Sequence, residues 1–369
     1  MLGSALWHAH HRLDDRLHRL RRAHPPWRGD RRGRLVWDRL GSGRIDPPTD
    51  RRDHHARRHE SRAGDLRGRH RSLVAVVSQA GALAPETGRR GRLAPTPTGL
   101  LHVGHARTFA AAAKRAGSAG LVLRIDDLDG PRCRAEFVEA ATDDLAWLGL
   151  VWTEGPDLGG PHAPYHQSER AGWYREVWRR LEAAGAIYPS PHSRRDVEAA
   201  AVAPHEPPQG EPGEPIFPAS LRPSAWERSA SPGGVPWRFR VPDGRQIRFH
   251  DAAAGEVVRT AGVDFGDFVV WRRDDLAAYE LACAADDHAM AIDEVVRGAD
   301  LLTSTARQLL LYEALGWQPP AFCHQLLIYD AAGHRLAKRT AGLAIRDLRR
   351  AGFTASDVLK RPIEELTTG

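Results

Sequence analysis

From Gly91 onward the chain alternates short apolar runs with amphipathic stretches that end at glycine, and this alternation restricts the fold more than any other feature. GRLAP reads as a short buried strand, ARTFAAAAKRAG as a helix ending at Gly117, LVLRI as a second strand, and RAEFVEAATDDLAWLG as a helix closed by Gly149. Strand, helix and strand in that order form a βαβ unit, whose two strands run parallel beneath the crossover helix. An α/β fold with a parallel sheet is therefore expected. ERAGWYREVWRRLEAAG predicts one more helix, stopping at Gly185. Prolines then crowd the stretch from Pro189 to Pro242, as in APHEPPQGEPGEPIFP, which argues for a smaller, loop-rich α+β insertion. Regular structure resumes with WRFRV, QIRFHD, FVVWRR, EVVRG and the helix STARQLLLYEALG. After HQLLIYDAAGHRLAKR there is room for one or two helices. The expected organisation is a first half-domain over 91–186, an inserted subdomain over 187–262, a second half-domain over 263–345 and a short helical stub over 346–369.

Residues 1–90 have a different character. They hold 21 arginines against 10 acidic side chains, with no helical or strand period, and are expected to be a disordered Arg/His-rich extension. Such a segment is either a basic arm that contacts RNA or an extension without function. The remainder carries 32 basic against 37 acidic side chains, so the formal charge of +6 belongs to the extension. Any nucleic acid bound by the body must meet a local basic face. No stretch approaches the length of apolar sequence that a membrane span needs, and no secretory signal is visible. A soluble, cytoplasmic, monomeric protein is expected. Cys133, Cys283 and Cys323 are too few and too scattered for a disulfide framework.

Three segments carry chemistry. RLAPTPTGLLHVGH places His102, Gly104 and His105 where a strand and a turn give way to a helix, and a helix start favours phosphate through its N–H groups and dipole. LVLRIDDLDGPR ends a predicted strand with Asp126, Asp127 and Asp129, and ligands of open α/β sheets sit beyond the carboxyl ends of the strands. HRLAKRTAG puts Lys338 in a basic loop expected to follow a hairpin; the chain has only two other lysines, Lys114 and Lys360. An ammonium group there can follow charge moving onto a leaving phosphate. Asp286, Asp287 and His288 read as a hydrogen-bonded loop beside the nucleotide in preference to a metal site.

In order and spacing the three segments resemble the glutamyl branch of the class I aminoacyl-tRNA synthetases. RLAPTPTGLLHVGH is similar to that family's RFAPSPTGxLHIGH, RIDDLDGPR to its RIEDTDxxR, and RLAKR to its KMSKS loop. The resemblance implies a Rossmann-like catalytic domain with an acceptor-binding-like insertion, and activation of L-glutamate by ATP with Mg²⁺. By position, Arg92, Ala94, Pro95, Thr96, Asp126, Tyr279 and Arg297 would bind glutamate, and His102, Gly104, His105 and Lys338 would hold and activate ATP. The family usually has Glu where this chain has Asp126, so a bridging water to the substrate ammonium group is expected. Arg335 and Ala337 also depart from the KMSKS pattern. The sequence stops after that loop, which resembles the short members lacking an anticodon-binding region, whose acceptor is the queuosine base of tRNA(Asp). The alternatives are a truncated enzyme charging tRNA(Glu) and a non-catalytic RNA-binding paralogue. Short members often hold zinc in the insertion; the corresponding positions here are Ser190, His192, Phe217 and Leu221, so no zinc is expected.

Overall fold

The computed structural model describes residues 88–201, 216–328 and 343–366. Of the extension expected to be disordered over 1–90, residues 1–87 lie outside the described residues, as does the loop carrying Arg335, Ala337 and Lys338, whereas Arg90 is described and bonds to Glu154 and the Met290 carbonyl.

Strands β1 (Gly91–Leu93) and β2 (Leu121–Leu123) pair in parallel, with Arg92 opposite Val122, and helix α1 (Val103–Ala116) makes the crossover. Both strands are buried along their whole length, as a sheet covered on two faces requires. Close packing explains Gly91, where a Cβ would stand 3.1 Å from Leu121. Helix α2 (Ala135–Trp147) follows, and Gly149, at φ +77°, turns the chain back into the core as expected.

The other side of β1 is taken by β8 (Glu294–Gly298), where Asp293 and Glu294 donate their N–H groups to the Arg90 carbonyl at 2.9 and 3.2 Å. Strand β9 (Ala321–Gln325) pairs in parallel with β8 along five residues. The parallel layer therefore runs β2, β1, β8, β9. The hairpin expected before the Lys338 loop falls on residues 329–342 and so lies outside the described residues. Helices α5 (Tyr279–Ala289) and α6 (Leu302–Leu315) flank β8 in sequence, and α6 ends at Gly316 in the left-handed region.

Between the two halves, β3 (Ile187–Pro189), β4 (Trp237–Phe239) and β7 (Phe268–Trp271) form an antiparallel sheet behind α3 (Ala171–Ala183). Trp178, Trp237 and Trp271 are buried in one core with α5 and α6. A short helix α4 (Arg194–Ala201) lies near the start of the proline-rich stretch. The hairpin of β5 (Gln246–Asp251) and β6 (Gly255–Thr260) leaves this region to extend the parallel layer, with Asp251 opposite Phe322 of β9. The last described segment forms three short helices rather than one or two, α7 (Ile345–Arg350), α8 (Ala355–Lys360) and α9 (Ile363–Leu366). Their apolar residues Ile345, Leu348, Val358, Ile363 and Leu366 share a core with β1 and α1. Among the described residues no helix is long and apolar enough to cross a membrane.

Candidate active site

The carboxyl ends of β1, β2, β8 and β9 point the same way and frame a cleft of about 290 Å³. Its first wall is the turn between β1 and α1. Backbone bonds from Arg124 N–H to Leu93 (2.9 Å) and from Asp126 N–H to Pro95 (3.1 Å) stitch that turn to the end of β2. His102 caps α1, its Nδ1 accepting the Gly104 N–H at 3.1 Å, while His105 Nδ1 accepts the His102 N–H at 3.2 Å. With both Nδ1 atoms accepting, each neutral ring carries its proton on Nε2 and presents a donor from that edge. The two rings lie 3.8 Å apart. A Cβ on residue 104 would come within 2.9 Å of His102 Cε1, so glycine is what permits the folded-back ring.

The floor is a chain of buried charges. Arg124, wholly buried, binds Asp126 through Nε (2.7 Å) and Nη2 (3.3 Å) and Asp287 through Nη1 (2.7 Å). Asp287 also accepts from Arg92 Nε at 3.3 Å, and Arg92 Nη1 donates to the Val296 carbonyl at 3.0 Å. Burial alone would raise the Asp287 carboxyl, but Arg124 and Arg92 outweigh it and hold the group below the ordinary range. For Asp126 the balance tips the other way: burial pushes its carboxyl up against the pull of Arg124. Cys283 Sγ lies 3.8 Å from the same carboxylate.

Arg297 is a further buried guanidinium bordering the cleft. Its direct partners are neutral: Thr305 Oγ1 (2.7 Å), Gln308 Oε1 (2.8 Å), His324 Nε2 (3.2 Å) and, more distantly, the Tyr279 hydroxyl (3.5 Å). Among the described residues no carboxylate stands within ion-pair distance of it. A buried cation of this kind suits an incoming carboxylate, because the site has already met the cost of desolvating the charge.

Nine of the residues singled out in the sequence border this one cleft: Arg92, Ala94, Thr96, His102, Gly104, His105, Asp126, Tyr279 and Arg297. Pro95 lies behind it as the acceptor for Asp126, and Lys338 is outside the described residues. Arg124 was not anticipated, and Asp287 was expected only as part of a hydrogen-bonded loop, though signals for their pairing existed. Arg124 and Asp126 are two apart at a strand end and so share a face, and Tyr279, Cys283 and Asp287 recur every four residues along α5. The expected loop at Asp286–His288 is in fact the last turns of α5. Asp286 accepts from Arg170 (2.6 Å), Tyr174 (2.7 Å) and Gln167 (2.9 Å), and His288 stacks on Trp317 at 4.0 Å. In the insertion, the buried Ser190 hydroxyl meets Arg238 Nε at 3.2 Å, and Arg238 lies 4.4 Å over Phe217. With Phe217 and Leu221 bearing no donor atoms, this set does not fit zinc. Asp267 gathers the same region instead, accepting from Tyr188, Arg222 and the Val241 N–H.

An open parallel sheet, a histidine-bearing helix start and an arginine floor at the strand ends together form a cleft suited to a nucleotide and an anionic substrate. The family model described as tRNA synthetases class I (E and Q), catalytic domain, matches residues 90–360, and the chain belongs to that family. It is 45% identical to the glutamyl-Q tRNA(Asp) synthetase of Symbiobacterium thermophilum over 73% of this chain and 84% of that protein. The glutamyl-Q tRNA(Asp) synthetase of Nitratidesulfovibrio vulgaris is also 45% identical, over 73% and 83%. A solved glutamate tRNA ligase from Elizabethkingia meningosepticum aligns with TM-score 0.58 at 30% identity, covering 72% of this chain. The chain spans 53% of the length of that ligase.

Proposed function

We propose that the protein activates L-glutamate with ATP to glutamyl-adenylate and transfers the glutamyl group to the queuosine base of tRNA(Asp). The observation that carries the first half is Arg297, a buried guanidinium whose direct partners among the described residues are neutral, in the same cleft as the His102–His105 helix start. In this reading Arg297 and Arg92 take the carboxylates of glutamate, the Tyr279 hydroxyl contacts the amino acid beside Arg297, and Asp126 faces the ammonium group. Ala94, Pro95 and Thr96 shape the pocket by their backbone. Glutamine would leave a buried charge uncompensated, which penalises it strongly.

ATP enters as its Mg²⁺ complex. The Nε2 donors of His102 and His105 and the start of α1 receive its phosphates, and Lys338 follows the departing pyrophosphate. One α-carboxylate oxygen of glutamate attacks the α-phosphorus in line, the bond to the bridging oxygen breaks, and pyrophosphate leaves. No protein nucleophile is required; the chain supplies position and fixed charge. A queuosine hydroxyl then attacks the glutamyl carbonyl and releases AMP. Support for this acceptor comes from the two 45% relatives, matched over more than four fifths of their length. A cytoplasmic monomer without zinc completes the reading.

Pyrophosphate exchange without tRNA tests the activation half. Exchange should appear with glutamate and be weak with glutamine and aspartate; equal exchange with glutamine would refute the assignment of Arg297. Labelled glutamate should then pass to queuosine-containing tRNA(Asp) and not to tRNA(Asp) lacking the modification. Transfer to tRNA(Glu) would point to the charging enzyme instead.

A further inference from the structure

Arg297 is held from behind by His324 and, through it, by Asp251. His324, at 1% exposure, sits between Arg297 and Asp251. Its Nε2 is 3.2 Å from Arg297 Nε and 3.0 Å from Thr305 Oγ1, whose hydroxyl can donate to it, and its Nδ1 is 2.6 Å from Asp251 Oδ2. Arginine can only donate, so the ring nitrogen facing it must present a lone pair. The single proton of the neutral imidazole then lies on Nδ1 and is donated to Asp251, which as a carboxylate only accepts. The two ends of the array thus fix one tautomer. Burial, opposed by Asp251 and reinforced by the Arg297 charge, keeps the ring below the ordinary imidazole range and hence neutral at pH 7.

The carboxylate is itself fixed. Asp251 ends β5, and its Oδ1 accepts the N–H groups of Ala253 and Ala254 at 3.0 and 2.8 Å, while the His324 N–H bonds to its carboxylate at 3.1 Å. With Nε committed to His324 and Nη2 shared between Thr305 and Gln308, the Nη1 group is the part of the Arg297 fork turned to Tyr279 and the cleft. Swapping the tautomer would place an N–H against an N–H and rotate the fork away.

We propose that Asp251 and His324 are positioning residues for the amino-acid substrate, fixing through one imidazole tautomer the face that Arg297 shows to the substrate carboxylate. This rests on the reading of Arg297 as a carboxylate ligand. The hairpin of β5 and β6 thereby becomes part of the specificity apparatus.

Asp251→Asn is the sharpest variant. It keeps an oxygen for the two turn N–H groups but turns an amide N–H toward Nδ1, forcing the ring proton onto Nε2. The Michaelis constant for glutamate in pyrophosphate exchange should rise about 10- to 100-fold, with kcat and the constant for ATP nearly unchanged. His324→Asn, too short to reach Arg297, should behave alike, whereas His324→Gln, whose amide oxygen falls near the position of Nε2, should recover most of the loss. Equal loss in His324→Asn and His324→Gln, or an unchanged glutamate constant in Asp251→Asn, overturns the proposal. Independently of activity, ¹⁵N shifts of the wild-type imidazoles, with His324 assigned by its absence in His324→Gln, should show Nδ1 protonated and Nε2 bare. The opposite tautomer overturns the proposal whether or not the protein proves to use glutamate, and wild-type silence in exchange with the expected tautomer counts against the function alone.

Discussion

The two walls of the cleft are built in opposite ways. On the side of the α1 start, the side-chain bonds that set His102 and His105 span two and three residues. On the arginine side, Arg92 reaches 195 residues to Asp287 and Arg124 reaches 163. A locally made wall costs little entropy to close and can be altered without disturbing the rest. The long-range wall forms only when β1, β2 and α5 have all docked, and its charges have been withdrawn from water. Function and stability should therefore separate on the first wall and fall together on the second.

Asp287→Ala should produce the largest effect. It leaves Arg92 and Arg124 facing each other without the carboxylate between them, and breaking a buried pair from one side costs about 3–5 kcal/mol. Urea denaturation at pH 7 measures this, and a loss under 1 kcal/mol would show that the floor is not the stabilising network described. Gly104→Ala addresses the other wall. The new Cβ must displace the His102 ring, so exchange activity should fall about 100-fold. Stability should hold or rise by up to about 1 kcal/mol, since alanine is the better helix former. Parallel losses of activity and stability would erase the distinction between the walls.

The same contrast decides what could be read in advance. Helix ends at Gly117, Gly149, Gly185 and Gly316, and strands such as EVVRG and QIRFHD, are governed by contacts within a few residues and were legible. So were His102 and His105, because a helix start announces itself locally. Ile187–Pro189 is too short to show a period, and GEVVRT lacks a clean alternation, so β3 and β6 went unread. Arg124 stood inside a segment already chosen for its chemistry, but its meaning depends on Asp287. Asp251 and His324, 73 residues apart, become partners only because β5 ends beside β9. A residue's neighbours along the chain are printed in the sequence; its partners across the sheet are set by register.

The local wall is also tied to distant parts of the chain, and one of these ties gives the subtlest prediction. Val103 donates its N–H to Leu343 at 3.2 Å and Ile345 donates to Leu101 at 2.8 Å, which ties the start of α1 to the entry of α7. Helix α2 packs on α7, and there Asp144 is 2% exposed with Oδ2 lacking a hydrogen-bond partner among the described residues. Burial, only partly offset by Arg346 and Arg349, raises its carboxyl to about 6. A folded-state value above the ordinary 3.8 means that the folded protein binds this proton more tightly than the unfolded chain. The associated stability is present below about pH 4 and is lost as pH rises through 6. Asp144→Asn, neutral at every pH, should match wild type near pH 4 and exceed it by about 1–2 kcal/mol at pH 8. Thermal denaturation across that range checks the sign, and a constant difference between pH 4 and pH 8 would exclude Asp144 as its source. The Michaelis constant for ATP should not change. A change there would mean that α7 helps to hold His102 and His105, and that the local wall is less self-sufficient than its hydrogen bonds imply.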